Sequence, residues 1–110
     1  MAAAGLLPAI TYVDPFFYIE GLDPICNDDH PHADVRNGQA FLNQIYNALR
    51  PAPTWDRTLL VINYDEWGGF FDHAVPPVMP VSPREFEATG NDGRLGIRVP
   101  CMLLGPRVKK

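Results

Sequence analysis

Apolar and polar positions along this chain change their period from one stretch to the next, and each change marks an element. In Ala9-Ile10-Thr11-Tyr12-Val13 they alternate, which predicts a short strand that Asp14-Pro15 ends. From Asp34 the period lengthens. Val35, Leu42, Ile45 or Tyr46, and Leu49 fall at helical spacing, with Arg36, Gln39, Asn43 and Asn47 mostly between them. Asp34 suits the N-cap of this helix, and Pro51 stops it just after Arg50. Leu59-Leu60-Val61-Ile62-Asn63 is a continuous apolar run, β-branched at its centre, and predicts a buried, central strand. Val99-Pro100-Cys101-Met102-Leu103-Leu104 reads as a further strand. From Gly68 to about Arg98 a Pro-, Gly- and charge-rich stretch predicts a long loop, and such loops are functional or belong to a larger body.

The order strand, helix, strand, loop, strand favours a mixed α/β architecture with few strands and one main helix. One helix covers one face of a sheet only, whereas parallel strands need both faces covered. The expectation is therefore that the chain is part of something larger, or that it associates. Composition sharpens this only a little. At 110 residues, with 46% hydrophobic and 20% charged, there is material for one small core. The prolines and glycines punctuate the whole chain instead of massing in a linker, and there is no internal repeat.

Charge and targeting signals exclude more than they assign. The net charge is −4, with no cationic cluster beyond Lys109-Lys110, which argues against nucleic acid as a partner. No apolar run approaches the length of a transmembrane segment. The opening Met1-Ala2-Ala3-Ala4-Gly5-Leu6-Leu7-Pro8 lacks the basic start of a signal peptide, so the chain does not state its location. Cys26 and Cys101 lie far apart in sequence. They read as two thiols, or as one disulfide if the protein is secreted.

Candidate chemistry collects at the end of the second strand. Asp65-Glu66 follow the apolar run at once, then Gly68-Gly69 and Asp72-His73. Ligands of open α/β sheets gather beyond the carboxyl ends of strands. Two adjacent carboxylates there suit a divalent ion, with Mg, Ca or Mn favoured by oxygen ligands and Zn admitted if an imidazole joins them. The other reading is a solvated, inert acidic pair. Asp72 and His73 could form a carboxylate–imidazole pair, although sequence neighbours need not face each other.

A second polar knot, Asn27-Asp28-Asp29-His30-Pro31-His32, precedes the helix. His30 and His32 could bind a metal or a phosphate, with Asp28 or Asp29 fixing a tautomer. The alternative is an Asx- and Pro-rich turn leading into a helix cap. A Ser-His-Asp triad is not supported, because Ser82 is the only serine and has no nucleophile-elbow context.

Taken in order, Asn27-Asp28-Asp29-His30-Pro31, Asp34-Val35-Arg36-Asn37-Gly38-Gln39, Tyr46-Asn47-Ala48-Leu49-Arg50, Trp55-Asp56-Arg57-Thr58-Leu59-Leu60, Tyr64-Asp65-Glu66 with Gly68-Gly69-Phe70-Phe71-Asp72-His73, and Gly96-Ile97-Arg98-Val99-Pro100 carry a family resemblance. From about Leu7 to Arg107 the chain resembles the C-terminal part of the phosphoesterase family of non-haemolytic phospholipases C and related acid phosphatases. The resemblance implies an alkaline-phosphatase-like α/β core, represented here in part. It also implies cleavage of a phospholipid or another phosphate ester through attack of a Ser or Thr hydroxyl on phosphorus, then hydrolysis of the phosphoenzyme. By analogy Asp65 and Glu66 are ligands of a divalent metal ion, and His30 contacts the substrate phosphate or assists the leaving group. Asp29 and His73 are candidate substrate contacts, while His32 has no role in the resemblance. Relatives of this kind are often secreted or periplasmic.

The departure from the family pattern matters as much. Family members carry a metal-holding Glu-Asn pair near their N-terminus, and later the hydroxyl nucleophile. Neither has a counterpart here. The expectation is a C-terminal portion of a phosphoesterase domain, spanning residues 1–110 and inactive by itself, whose partner would be the family's N-terminal half. The alternative is a non-catalytic metal- or phosphate-binding or interaction module derived from that fold.

Overall fold

In the computed structural model, residues 1–17 and 25–109 are described, so Lys110 of the expected cationic pair lies outside them. A 3-10 turn at Ala2–Ala4 is followed by helix α1 (Val35–Leu49), a second 3-10 turn (Trp55–Arg57), strand β1 (Leu60–Asn63), helix α2 (Pro83–Thr89) and strand β2 (Cys101–Leu104). The architecture is mixed α/β. Two compact units emerge, one formed by Met1–Leu60 with Leu103–Lys110 and the other by Val61–Met102.

In the first unit α1 starts where the Asp34 carboxylate accepts from the Arg36 amide at 3.0 Å, supplying one of the helix's orphan donors with a partner. The same carboxylate takes the Arg36 guanidinium, at 2.9 Å from Nε and 2.6 Å from Nη2. That side-chain bond, with the backbone bond behind it, lowers the Asp34 carboxyl to about 2. Pro51 ends the helix because it has no N–H to return to the carbonyl four residues back. Leu42, Ile45, Tyr46 and Leu49 are half-buried as their spacing predicts. Val35 is exposed, and Phe41 takes a place on the covered face. The helix packs on the Ala2–Ala4 turn. Beyond it, Tyr46 meets Trp55 edge to face at 5.8 Å, beside the buried Ala52.

The expected strand at Ala9–Val13 does not form. A strand needs a partner ladder, and this segment has none among the described residues; Ile10 and Tyr12 stand 76% and 88% exposed. β1 and β2 do form and pair as a two-stranded sheet. The Tyr64 amide donates to the Pro100 carbonyl at 3.3 Å, and Gly105 lies against the Thr58 carbonyl, which sets an antiparallel register. β2 begins at Cys101 rather than Val99, since Pro100 can offer no amide to the ladder. The reading of this run as a buried, central strand is corrected. Leu59 and Val61 remain exposed, as do Met102 and Leu103 of β2. Among the described residues the only buried apolar side chains are Cys26 and Ala52.

The second unit corrects the expected structureless loop from Gly68 to Arg98. Residues 83–89 form α2, capped by the Ser82 hydroxyl accepting from the Glu85 amide at 3.2 Å, with Pro83 in the first turn and Gly90 ending it. The flanks of α2 close on each other. Val78 and Arg94 form an antiparallel bridge, with the Met79 amide donating to the Gly93 carbonyl at 2.8 Å and Leu95 to Pro77 at 3.0 Å. The excursion is a closed hairpin with a helix at its tip.

Candidate functional site

The candidate residues fall into two clusters, one in each unit. In the first unit, residues 26–38 are tied down on both sides. The Phe16 amide donates to the Asn27 side chain at 2.6 Å, and the Asn27 amide returns a bond to the Phe16 carbonyl at 3.0 Å. Cys26 is fully buried, and its carbonyl accepts from the Asn37 side chain at 3.1 Å, which anchors the segment to the first turn of α1. Asp29 takes a left-handed backbone conformation, φ 61°. Its carboxylate lies directly on Gly38, where a Cβ would collide with it. Gly38 is thus the residue that admits Asp29.

His30 then emerges from this support. Its Nδ1 lies 2.5 Å from Oδ2 of Asp28, whose side chain is only 1% exposed, while the His30 ring is 46% exposed. A 30–33 turn, closed by the Ala33 amide on the His30 carbonyl at 2.7 Å, carries Pro31 and the exposed His32 away. The stretch is a turn leading into a helix cap, and within it the His30 ring stands against the Asp28 carboxylate.

In the second unit, β1 delivers Asp65 and Glu66 to the surface. Each lends an oxygen to the local turn. Asp65 Oδ1 accepts from the Glu66 amide at 3.1 Å, and Glu66 Oε2 accepts from the Gly68 amide at 2.8 Å. The turn continues through Gly68 and Gly69, at φ 67° and 79°, a conformation that side-chain-bearing residues rarely take. The two carboxylates match the hard-oxygen donor set of Mg or Ca, but such ions take six or more ligands. Among the described residues no group of three or more His, Cys, Asp or Glu side chains is placed to hold a metal ion. Asp65 and Glu66 therefore fit a divalent ion by donor type and do not complete its shell.

Asp72 does not serve His73 as a hydrogen-bond partner. His73 Nδ1 stands 3.6 Å from Asp72 Oδ1, beyond hydrogen-bond range, and its side chain is 88% exposed. The Asp72 carboxylate instead takes Arg98 in a two-pronged pair, Nε at 2.7 Å and Nη2 at 2.9 Å, and accepts from the Ala74 amide at 3.0 Å. Arg98, with Ala74 behind it, holds the Asp72 carboxyl well below the usual carboxylate range. Sequence spacing gave no sign of this pair, whose members stand 26 positions apart. Cys101 is exposed on β2 and Cys26 is buried in the first unit, and no disulfide joins them.

Comparison with known proteins adds what geometry leaves open. The model of a family described as "Phosphoesterase family" matches residues 2–110. The chain is similar to non-specific phospholipase C6 of Arabidopsis thaliana, with 43% identity over 99% of this chain and 22% of that protein. It is similar to non-specific phospholipase C1 of the same plant, at 41% identity over 99% of this chain and 21% of that protein. It also matches phospholipase C B of Mycobacterium tuberculosis, at 35% over 91% of this chain and 20% of that protein. The chain thus spans about a fifth of the length of the curated relatives it matches.

Proposed function

We infer this chain's function from one premise: it belongs to the Phosphoesterase family. It supplies part of the active site of a phosphoric-ester hydrolase of the phospholipase C type. The family match along residues 2–110 carries this reading, and the named phospholipase C relatives support a phospholipid as substrate. In the whole protein, Asp65 and Glu66 hold a divalent ion together with ligands outside the described residues. A bound ion of this kind polarises phosphoryl oxygens and lowers the pKa of a coordinated hydroxyl. The exposed carboxylates at the end of a rigid strand support that role.

His30 contacts the phosphate. Phosphoryl transfer spreads negative charge over the phosphate oxygens, and the protein's task is to position and stabilise that charge. An imidazole half in solvent and braced by Asp28 suits donation to a phosphate oxygen or to the departing alkoxide. Asp29 and His73 are further candidate substrate contacts in the whole protein. The alkaline-phosphatase-like core that the resemblance implies would cover the exposed faces of β1 and β2.

A second reading rests on a specific observation: Asp65 and Glu66 make only part of a metal shell among the described residues. On that reading the chain binds a divalent ion or a phosphate without turning anything over. The deciding experiment follows the release of phosphocholine from phosphatidylcholine vesicles, and of phosphate from an aryl phosphate. It uses the natural polypeptide that carries this sequence, with and without a chelator. Chelator-sensitive hydrolysis lost in Asp65→Asn supports the hydrolase; binding of the ion or of phosphate with no turnover supports the module.

A further inference from the structure

We propose that Arg98 is a phosphate-binding residue: oriented by Asp72, it offers its free edge to phosphate oxygens at the end of the sheet that carries Asp65 and Glu66. The inference rests on the reading of Asp65 and Glu66 as part of a phosphoric-ester site and adds a cation that meets the substrate's charge. The strand pairing places Arg98 there. Just beyond the two strands, the Tyr64 amide donates to the Pro100 carbonyl at 3.3 Å. Asp65 directly follows Tyr64, and Arg98 stands two residues before Pro100, so both segments bring their charged groups to one end of the sheet. All of these residues belong to the second unit.

Donor geometry shows what is left over. A guanidinium carries five N–H donors in a planar fork. Asp72 takes one edge of it, with Nε donating to Oδ2 at 2.7 Å and Nη2 to Oδ1 at 2.9 Å. The adjoining edge, made by Nη1 and the second hydrogen of Nη2, has no acceptor among the described residues, and the side chain is 66% exposed. Such an edge matches two phosphate oxygens, the paired geometry that a point charge lacks. Asp72 itself is only 14% exposed and also accepts from the Ala74 amide at 3.0 Å, so the fork is aimed by a fixed group.

The charges at this end of the sheet give the free edge its use. A phosphate brought against two carboxylates is repelled by both. A guanidinium beside them supplies the opposing charge with directed donors, the arrangement that stabilises a phosphoryl group in transfer. Asp65 and Glu66 each spend one oxygen on their own turn, and neither pairs with Arg98. Without Asp72 the guanidinium would be free to take those oxygens; bound to Asp72 it is kept for an incoming anion.

The test uses the natural polypeptide that carries this sequence, and its first step needs neither turnover nor a variant. Phenylglyoxal labels exposed guanidinium groups, and mass spectrometry of the peptides reports the label on Arg98. Inorganic phosphate should protect Arg98, whereas sodium chloride at equal ionic strength should not, and the exposed Arg84 and Arg94 should label equally in both. Labelling of Arg98 that ignores phosphate would overturn the proposal. Arg98→Lys keeps the charge and loses the fork. Its affinity for inorganic phosphate, read from the phosphate-dependent rise in Tm, should fall about 10–100-fold; an unchanged rise would overturn the proposal as well. Asp72→Asn should also weaken phosphate binding, and stronger binding would refute the orienting role of Asp72. Hydrolysis of phosphatidylcholine by the same preparation keeps the two readings apart. Protection of Arg98 in a polypeptide that hydrolyses nothing would refute the hydrolase and leave the phosphate contact intact. Hydrolysis with Arg98 unprotected would do the reverse.

Discussion

Gly38→Ala should destabilise α1 although it improves the helix's intrinsic propensity. In a helix interior alanine is favoured over glycine by about 1 kcal/mol. Here, however, the added methyl would fall within the Asp29 carboxylate. Asp29 has two side-chain torsions with which to escape, but its backbone is held in the left-handed region between Asp28 and His30. Overpacking of this kind costs about 1–3 kcal/mol, which leaves a net loss of about 0–2 kcal/mol once the propensity gain of ~1 is subtracted. The sign is best isolated in a second background. Asp29→Gly removes the carboxylate and suits the positive φ, so Gly38→Ala should recover its stabilising ~1 kcal/mol there. Urea unfolding of the four proteins, followed by circular dichroism at 222 nm, gives the coupling energy directly. A coupling of about 1–3 kcal/mol is expected. If Gly38→Ala has the same effect in both backgrounds to within ~0.3–0.5 kcal/mol, the contact does not constrain the helix and the account of Gly38 fails.

The other expectations concern the carboxylates and the second helix. Asp65→Asn or Glu66→Gln in the natural polypeptide should reduce hydrolysis about 10²–10³-fold, the scale of one lost transition-state charge contact; near-normal rates measured with chelated, then metal-reconstituted protein would remove both from the site. The 110-residue chain alone should not turn over an aryl phosphate, so repeated turnovers abolished by Asp65→Ala would refute that expectation. Asp34, with its carboxyl lowered to about 2, helps α1 above the ordinary Asp value of about 3.9. That help is lost as pH falls through about 2, so helix content should drop between these limits in wild type and much less in Asp34→Ala. Ser82→Ala should weaken α2 by about 1 kcal/mol through loss of its cap, read as faster amide exchange at Glu85, while Ser82→Asp should preserve it.

Most of α1 was legible because its signals are local. Asp34, the spacing from Leu42 to Leu49 and Pro51 all act within a turn or two of one another. α2 was equally local, and Ser82-Pro83-Arg84-Glu85 with Gly90 spells a capped short helix; it was hidden by the proline and charge density of its surroundings. The strands were a different matter. The apolar runs at Leu60–Asn63 and Cys101–Leu104 located β1 and β2, but period says nothing of direction or neighbours, so the antiparallel register was not available. Ala9–Val13 has a strand's alternation and lacks a partner ladder among the described residues, which no local pattern can report. The same distinction governs the site. Asp65-Glu66 could be found because adjacency in sequence is adjacency in space, whereas Asp72 with Arg98 depends on how the excursion closes.

The distribution of burial carries the final step. Val61 and Leu103 lie exposed on the sheet, while a carboxylate, Asp28, is taken almost wholly out of water. Hydrophobic burial alone would favour the opposite outcome, since an apolar side chain gains and an ionised one loses on leaving solvent. That buried carboxylate sits in a segment held by bonds that do not need a large core: Asn27 on Phe16, Asn37 on the Cys26 carbonyl, and Asp29 against a glycine. The order in this segment is thus local and polar, and it converges on one ring, His30. A merely structural turn would be satisfied by Asn or Ser at position 28, which present a neutral group to solvent or backbone. The residue present instead sets an acidic group 2.5 Å from His30 Nδ1. Asp28→Asn should therefore leave the turn in place while removing the acidic group beside the ring.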